Sequence, residues 1–117
     1  MVSPQHNQIL EQLPSAELDL FLPHLELISV TKGQALVETG EVPHHVYFPV
    51  GAVVSMQCEL EDGFCVETAL VNKTNMVGIS NYGNPSFYRA EVRPSGLAYR
   101  MPLDAFLLMR KTCLVFN

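Results

Sequence analysis

Between residues 7 and 22 the apolar positions Ile9, Leu10, Leu13, Leu18, Phe21 and Leu22 fall mostly at steps of three and four. That period predicts two short amphipathic helices, over 7–13 and 15–22, divided by Pro14. Ser15 is placed to cap the second helix, and Pro23 ends it by restricting the residue before it. Beyond Pro23 the pattern becomes short runs rich in Val, Tyr and Phe. These predict strands near 25–30, 35–38, 45–49, 53–60, 64–70, 87–93 and 97–101, punctuated by Gly33, Gly40, Gly51, Gly63, Gly78, Gly83 and Gly96. Such spacing favours a barrel or jelly roll over alternating βαβ units. A last short helix over 102–111 puts Leu103, Phe106, Leu107 and Arg110 on one side.

One hairpin can be specified to the residue. Val54, Met56, Cys58 and Leu60 form one apolar face, and Phe64, Val66 and Leu70 another. A loop of Glu61, Asp62 and Gly63 pairs Leu60 with Phe64 and Cys58 with Val66, with Gly63 in the left-handed position beside a bulge. A two-residue Asp-Gly turn would set Phe64 opposite Glu61, on the wrong face, since a one-residue slip inverts every side chain. Cys58 and Cys65 then project to opposite faces, which argues against a disulfide between them. Gly33, Gly40 and Gly51 sit where strands reverse, where a positive φ or a close approach suits glycine.

Composition narrows the function. The 117 residues are 48% hydrophobic, enough for one core and one domain over 1–117. Only 16% are charged, the net charge is −5 and the seven Lys and Arg are scattered, so no basic face is available for a phosphate backbone. No stretch is long and apolar enough for a membrane span, and the first residues do not read as a secretion signal, so a soluble cytoplasmic protein is expected. Three cysteines, without CxxC or Cys/His spacing, support neither a disulfide framework, a zinc site nor an iron–sulfur cluster. His44 and His45 are adjacent, so on a strand they point apart and do not make a cupin-like metal pair. No serine has a nucleophile-elbow setting and no cysteine a partnering histidine, so no catalytic residue and no cofactor is expected. The acidic group Glu59, Glu61, Asp62 and Glu67 reads as a solvated strand edge.

Taken in order, Pro23 to Glu26, Lys32-Gly33-Gln34, Glu38 to Glu41, His45 to Pro49, Gly51 to Ser55, Asp62-Gly63, Val66-Glu67 and Met76-Val77-Gly78 resemble the cyclic-nucleotide-binding domain of Crp/Fnr-type transcription regulators. The likeness runs from about Asn7 to Leu108. It implies a mainly β fold, a double-stranded β-helix or jelly-roll barrel over 25–101, with short helices over 7–22 and the start of a helical segment over 102–117. In such regulators a dimerisation helix and a DNA-reading helix-turn-helix follow the barrel. Neither is expected within this chain, so the implied role is that of a sensor, homodimeric through its C-terminal segment in a longer form.

The resemblance also implies a ligand site for a cyclic nucleotide or another anion, at Gly78, Ser80, Arg89 and Ala90. In nucleotide binders of the family a Gly-Glu-Leu supplies a ribose-binding glutamate and an Arg-Ala step takes the phosphate. Here Gly78-Ile79-Ser80 replaces the former, and Ile79 cannot accept from a ribose hydroxyl. Arg89-Ala90 matches the latter, but a strand arginine beside Glu91 is more simply read as its ion-pair partner. Ordinary cyclic AMP is therefore not the expected ligand. Two functions remain open: an effector-sensing domain, or a protein-interaction module with a pocket filled by Ile79, Phe87 and Tyr88.

Overall fold

The computed structural model describes residues 2–78 and 85–113, the side chain of Thr112 excepted. Seven strands, β1 (Glu26–Val30), β2 (Ala35–Val37), β3 (His45–Pro49), β4 (Val54–Glu59), β5 (Cys65–Val71), β6 (Arg89–Val92) and β7 (Gly96–Pro102), form two antiparallel sheets. One has the order β1-β7-β3 and the other β2-β6-β4-β5. Helices α1 (Gln8–Glu11), α2 (Ser15–Phe21) and α3 (Leu103–Met109) flank the strands in sequence. The mainly β roll with short terminal helices is the architecture expected from the sequence.

Strand alternation divides the apolar residues into two cores. Val46, Phe48, Tyr99 and Met101 leave the first sheet on one side and meet Leu10, Leu13, Leu18, Phe21, Leu103 and Phe106 from the helices. Phe106 lies 6.3 Å from both Phe21 and Phe48, ring centroid to ring centroid. Tyr47, on the opposite side of β3, packs between the sheets with Val30, Val37, Val54, Val71, Val77, Tyr88, Ala90 and Val92. The helices thus cover the outside of β3 and β7, while the second core fills the roll.

The helix starts differ from expectation. Ser15 does not cap α2: Pro14, extended at φ −55 and ψ 151, holds that position and Ser15 is already helical. Proline serves well just outside a helix because its missing N–H is not needed there. Asn7, expected as a helical residue, is instead the cap of α1, its side chain accepting from the amides of Ile9 and Leu10.

The hairpin register is as the sequence predicts, with Cys58 opposite Val66, the Leu60 amide donating to Phe64 O at 2.7 Å, and Gly63 at φ +89. Leu70 departs from the expected face. The register shifts between Met56, opposite Ala69, and Gln57, opposite Glu67, so Thr68 is an extra residue on β5. That bulge turns Leu70 toward Ser55 on the outer face and brings Val71 inward against Val54. Gly51 also departs from expectation, since its φ is not positive and a Cβ there would meet only Leu97 N at 3.9 Å. The close approach belongs to its neighbour across the turn: a Cβ on Gly96 would lie 2.6 Å from Ala52 N.

Candidate functional site

The described residues that the sequence offers for a ligand lie at Gly78, beside β3, and at Arg89 and Ala90 on β6. Val77 and Tyr47 exchange two backbone hydrogen bonds, of 2.9 and 2.8 Å, which bring the chain before Gly78 against β3. Gly78 has φ +112, and a Cβ on it would fall 2.6 Å from the His45 carbonyl oxygen. Only glycine satisfies both conditions. Ser80 and Ile79 lie outside the described residues.

Arg89 and Ala90 are consecutive on β6 and therefore face opposite ways. Ala90 is fully buried inside the roll, next to the equally buried Val92. Arg89 projects from the outer face, where its Nε donates to Glu38 at 2.9 Å and its guanidinium also pairs with Glu91. Glu91 in turn accepts from Arg93 at 3.0 Å, and Glu67 accepts from the Ser55 hydroxyl at 2.5 Å, with Gln57 donating to the same hydroxyl. The hydrogen bond from Arg89 holds the Glu91 carboxyl below the ordinary glutamate range. Arg89 thus pairs with both Glu38 and Glu91. Of the four candidate positions, Gly78 lies against the backbone of β3, Ala90 faces the roll and Arg89 faces away from it.

Arg100 faces the roll from β7, yet it too is committed, with Nε 2.7 Å from Glu26 and a hydrogen bond to the Tyr47 hydroxyl. Burial raises the Tyr47 pKa, and Arg100 opposes that rise. His45 is lowered, first by burial and then by Arg100 and His44. Every arginine on the two sheets is matched by a carboxylate.

One residue in this region was singled out in sequence only as a filler. Tyr88 is 4% exposed and packs in the roll core, and its hydroxyl is the buried side-chain oxygen that has no hydrogen-bond partner among the described residues. Its backbone is fixed by Ser86, itself buried, whose hydroxyl donates to Tyr88 O at 2.8 Å and accepts from Tyr88 N at 3.1 Å. Ser86 is anchored in turn: its amide donates to Glu41 O at 2.8 Å and its carbonyl accepts from Gly40 at 2.7 Å. Phe87 does not fill the roll, being 62% exposed with its ring edge-on to Tyr88 at 5.8 Å. The sequence signal for Ser86 as a lock would have been a small hydroxyl residue two before an inward aromatic.

No protein-family model matches the chain, and no curated protein sequence matches it. Solved structures do. The Thermus thermophilus catabolite activator protein superposes with a TM-score of 0.75 at 14% identity, over 88% of this chain and 49% of its own. The sensor domain of the transcriptional regulator DNR from Pseudomonas aeruginosa gives 0.73 at 19% identity, over 92% of this chain and 74% of its own. The regulatory subunit of a cAMP-independent protein kinase A from Trypanosoma cruzi, bound to guanosine, gives 0.82 at 14%, over 96% of this chain and 40% of its own. The chain spans about half the length of the first of these proteins. The fold is that of the cyclic-nucleotide-binding domains of Crp/Fnr-type regulators and their relatives, as the sequence resemblance implies.

Proposed function

We propose that this chain is an effector-sensing regulatory domain of the Crp/Fnr type, without catalytic activity, whose effector is not held through Arg89. The observation that carries the second half of this reading is the engagement of Arg89 by Glu38 and Glu91 on the outer face of the sheet. A phosphate inside the roll would require the guanidinium to leave two carboxylates and cross to the other face of its strand. The likeness to a catabolite activator protein and to a regulator's sensor domain supports the first half. The kinase subunit bound to guanosine is a neighbour whose ligand carries no phosphate. With a net charge of −5, DNA reading is assigned to no part of these residues, and a longer form would dimerise through the segment that follows α3. A cytoplasmic location accords with this role, and among the described residues no helix is long and apolar enough to cross a membrane.

The test is calorimetry of the chain against cyclic AMP, cyclic GMP and cyclic di-GMP, with Arg89→Ala beside it, followed by a thermal-shift screen of uncharged metabolites. The reading expects no Arg89-dependent heat from the three nucleotides and saturable stabilisation by at least one uncharged compound. Cyclic-nucleotide binding abolished by Arg89→Ala would overturn the exclusion of Arg89. Failure of every compound to bind a folded sample would sink sensing itself and leave the second reading, a protein-interaction module. That reading is favoured by one observation, the exposed apolar face of the β4–β5 hairpin, with Phe64 at 69% and Leu60 at 48%.

A further inference from the structure

We propose that the β4–β5 hairpin is a docking site for a basic amphipathic helix of another protein, which lays its apolar stripe on Leu60, Phe64 and Val66 and sets its basic residues against Glu61 and Asp62. This goes beyond effector sensing and does not depend on it.

Burial falls away along one face of the hairpin while the apolar pattern continues. Val54 and Val71 are buried in the roll, Met56 and Cys58 on the same face are half-buried, and Leu60, Phe64 and Val66 are exposed, Val66 at 43%. The reverse face at the same level carries Gln57, Glu59 and Glu67, so the alternation of a strand pair with one covered face persists beyond the part that the roll covers. A contiguous apolar face of this kind marks a surface that a partner covers. Its rim gives the sign of that partner. Glu61 and Asp62 form the turn and Glu59 precedes it, and among the described residues none of the three makes an ion pair. Asp62 accepts from the Phe64 amide at 3.3 Å, which ties a carboxylate to the residue that presents the most exposed ring. Two copies of so acidic a tip repel each other, so the hairpin is matched to a basic partner rather than to its own kind. The geometry selects a helix. β5 is the edge of its sheet, but the extra residue at Thr68 breaks the regular row of backbone groups that an added strand needs. The apolar pairs Met56–Ala69, Cys58–Val66 and Leu60–Phe64 follow one another along the hairpin. From Met56 to Leu60 they cover about 13 Å of strand, the length of roughly nine helical residues and so of one apolar stripe at helical spacing.

The probe is a fluorescein-labelled synthetic helix of leucine and lysine, about four turns long, with a second peptide that carries glutamate at every lysine position. By fluorescence anisotropy the full chain should bind the lysine peptide saturably and the glutamate peptide at least tenfold more weakly, with helical circular dichroism of the bound peptide. Phe64→Ser, at an exposed position that leaves the fold intact, should weaken the lysine peptide about tenfold or more, as loss of a central aromatic contact does. Glu61→Gln with Asp62→Asn should weaken it severalfold and remove most of its salt dependence. Leu20→Ser, which removes an exposed leucine on α2, should change nothing. Equal affinity of wild type and Phe64→Ser, an equal loss in Leu20→Ser, equal binding of the two peptides, or no binding at all would each overturn the proposal. So would a dimer seen in sedimentation velocity that Phe64→Ser dissolves, since the face would then belong to a second copy. None of these outcomes bears on the metabolite screen, which decides effector sensing by itself.

Discussion

Asn7 and Pro49, 42 residues apart in the chain, are joined by a 2.7 Å hydrogen bond from the Asn7 side-chain amide to the Pro49 carbonyl. The same amide donates to Asn75 O at 3.0 Å, while its oxygen caps α1. One fully buried side chain therefore ties the first helix to the end of β3 and to the turn after β5. Asn7→Ala should cost about 3 kcal/mol, summing a lost cap and two orphaned carbonyls, and lower the melting temperature by about 10 °C. Asn7→Asp keeps the cap acceptor but sets a carboxylate against two carbonyls, so it should be no more stable than the alanine variant. A near-native Asp variant in denaturant titrations would mean that the cap alone matters.

Gly78 and Gly33 both have positive φ but differ in space. A Cβ on Gly78 meets His45 O at 2.6 Å and Val46 Cα at 3.2 Å, whereas one on Gly33 meets nothing within 4 Å. Gly33→Ala should cost roughly 1 kcal/mol, from conformation alone. Gly78→Ala should cost about 3 kcal/mol, because backbone atoms must move. Equal losses in chemical denaturation would contradict the close approach at Gly78.

Stability should depend on pH in two separate windows. The His45 pKa is lowered in the fold, so below its ordinary value of 6.5 the unfolded chain takes up the proton first, and stability falls from there down to the folded pKa. His45→Gln should flatten the stability profile between neutral pH and that lower value. Glu91 is also lowered, by its bond from Arg89, so its contribution is present above the ordinary glutamate range and is lost as pH falls through the folded pKa. Arg89→Ala should remove this acid-side loss while leaving the His45 window in place. Denaturation midpoints measured from pH 8 to about pH 3, a span bracketing the ordinary pKa values of both groups, read both windows.

The thiols should react in the order Cys65, Cys58, Cys113. Cys65 is exposed, Cys58 is half-buried and Cys113 is buried. With Ellman's reagent, Cys65 should react at once, Cys58 more slowly and Cys113 only on unfolding. Cys58 and Cys65 lie on opposite faces of the hairpin, so oxidation should give no intramolecular disulfide between them. A mass loss of two protons in the monomer at that pair would contradict the register.

The legible parts of the sequence were those governed by a local rule. A three-residue loop and a two-residue period were enough to place Cys58 opposite Val66. The same rule failed for Leu70, because the extra residue at Thr68 has no glycine or other local signal to announce it. At the candidate site the difficulty was parity. The match to a phosphate-binding Arg-Ala step drew attention to Arg89, but on a strand the neighbouring residue owns the other face, and it is Tyr88 that the roll encloses. Asn7 was read by helical period, which cannot distinguish the first turn from the residue that caps it.

Strand β3 has no face to spare. On β3, Val46 and Phe48 belong to the helical core and Tyr47 to the roll, and just beyond β5 Met76 and Val77 divide the same way. Because both sides of β3 are packed, a displacement of that strand from the roll side should press on Phe106, which lies behind Phe48. A change of packing on one face of β3 should therefore be transmitted to the other through a single strand layer.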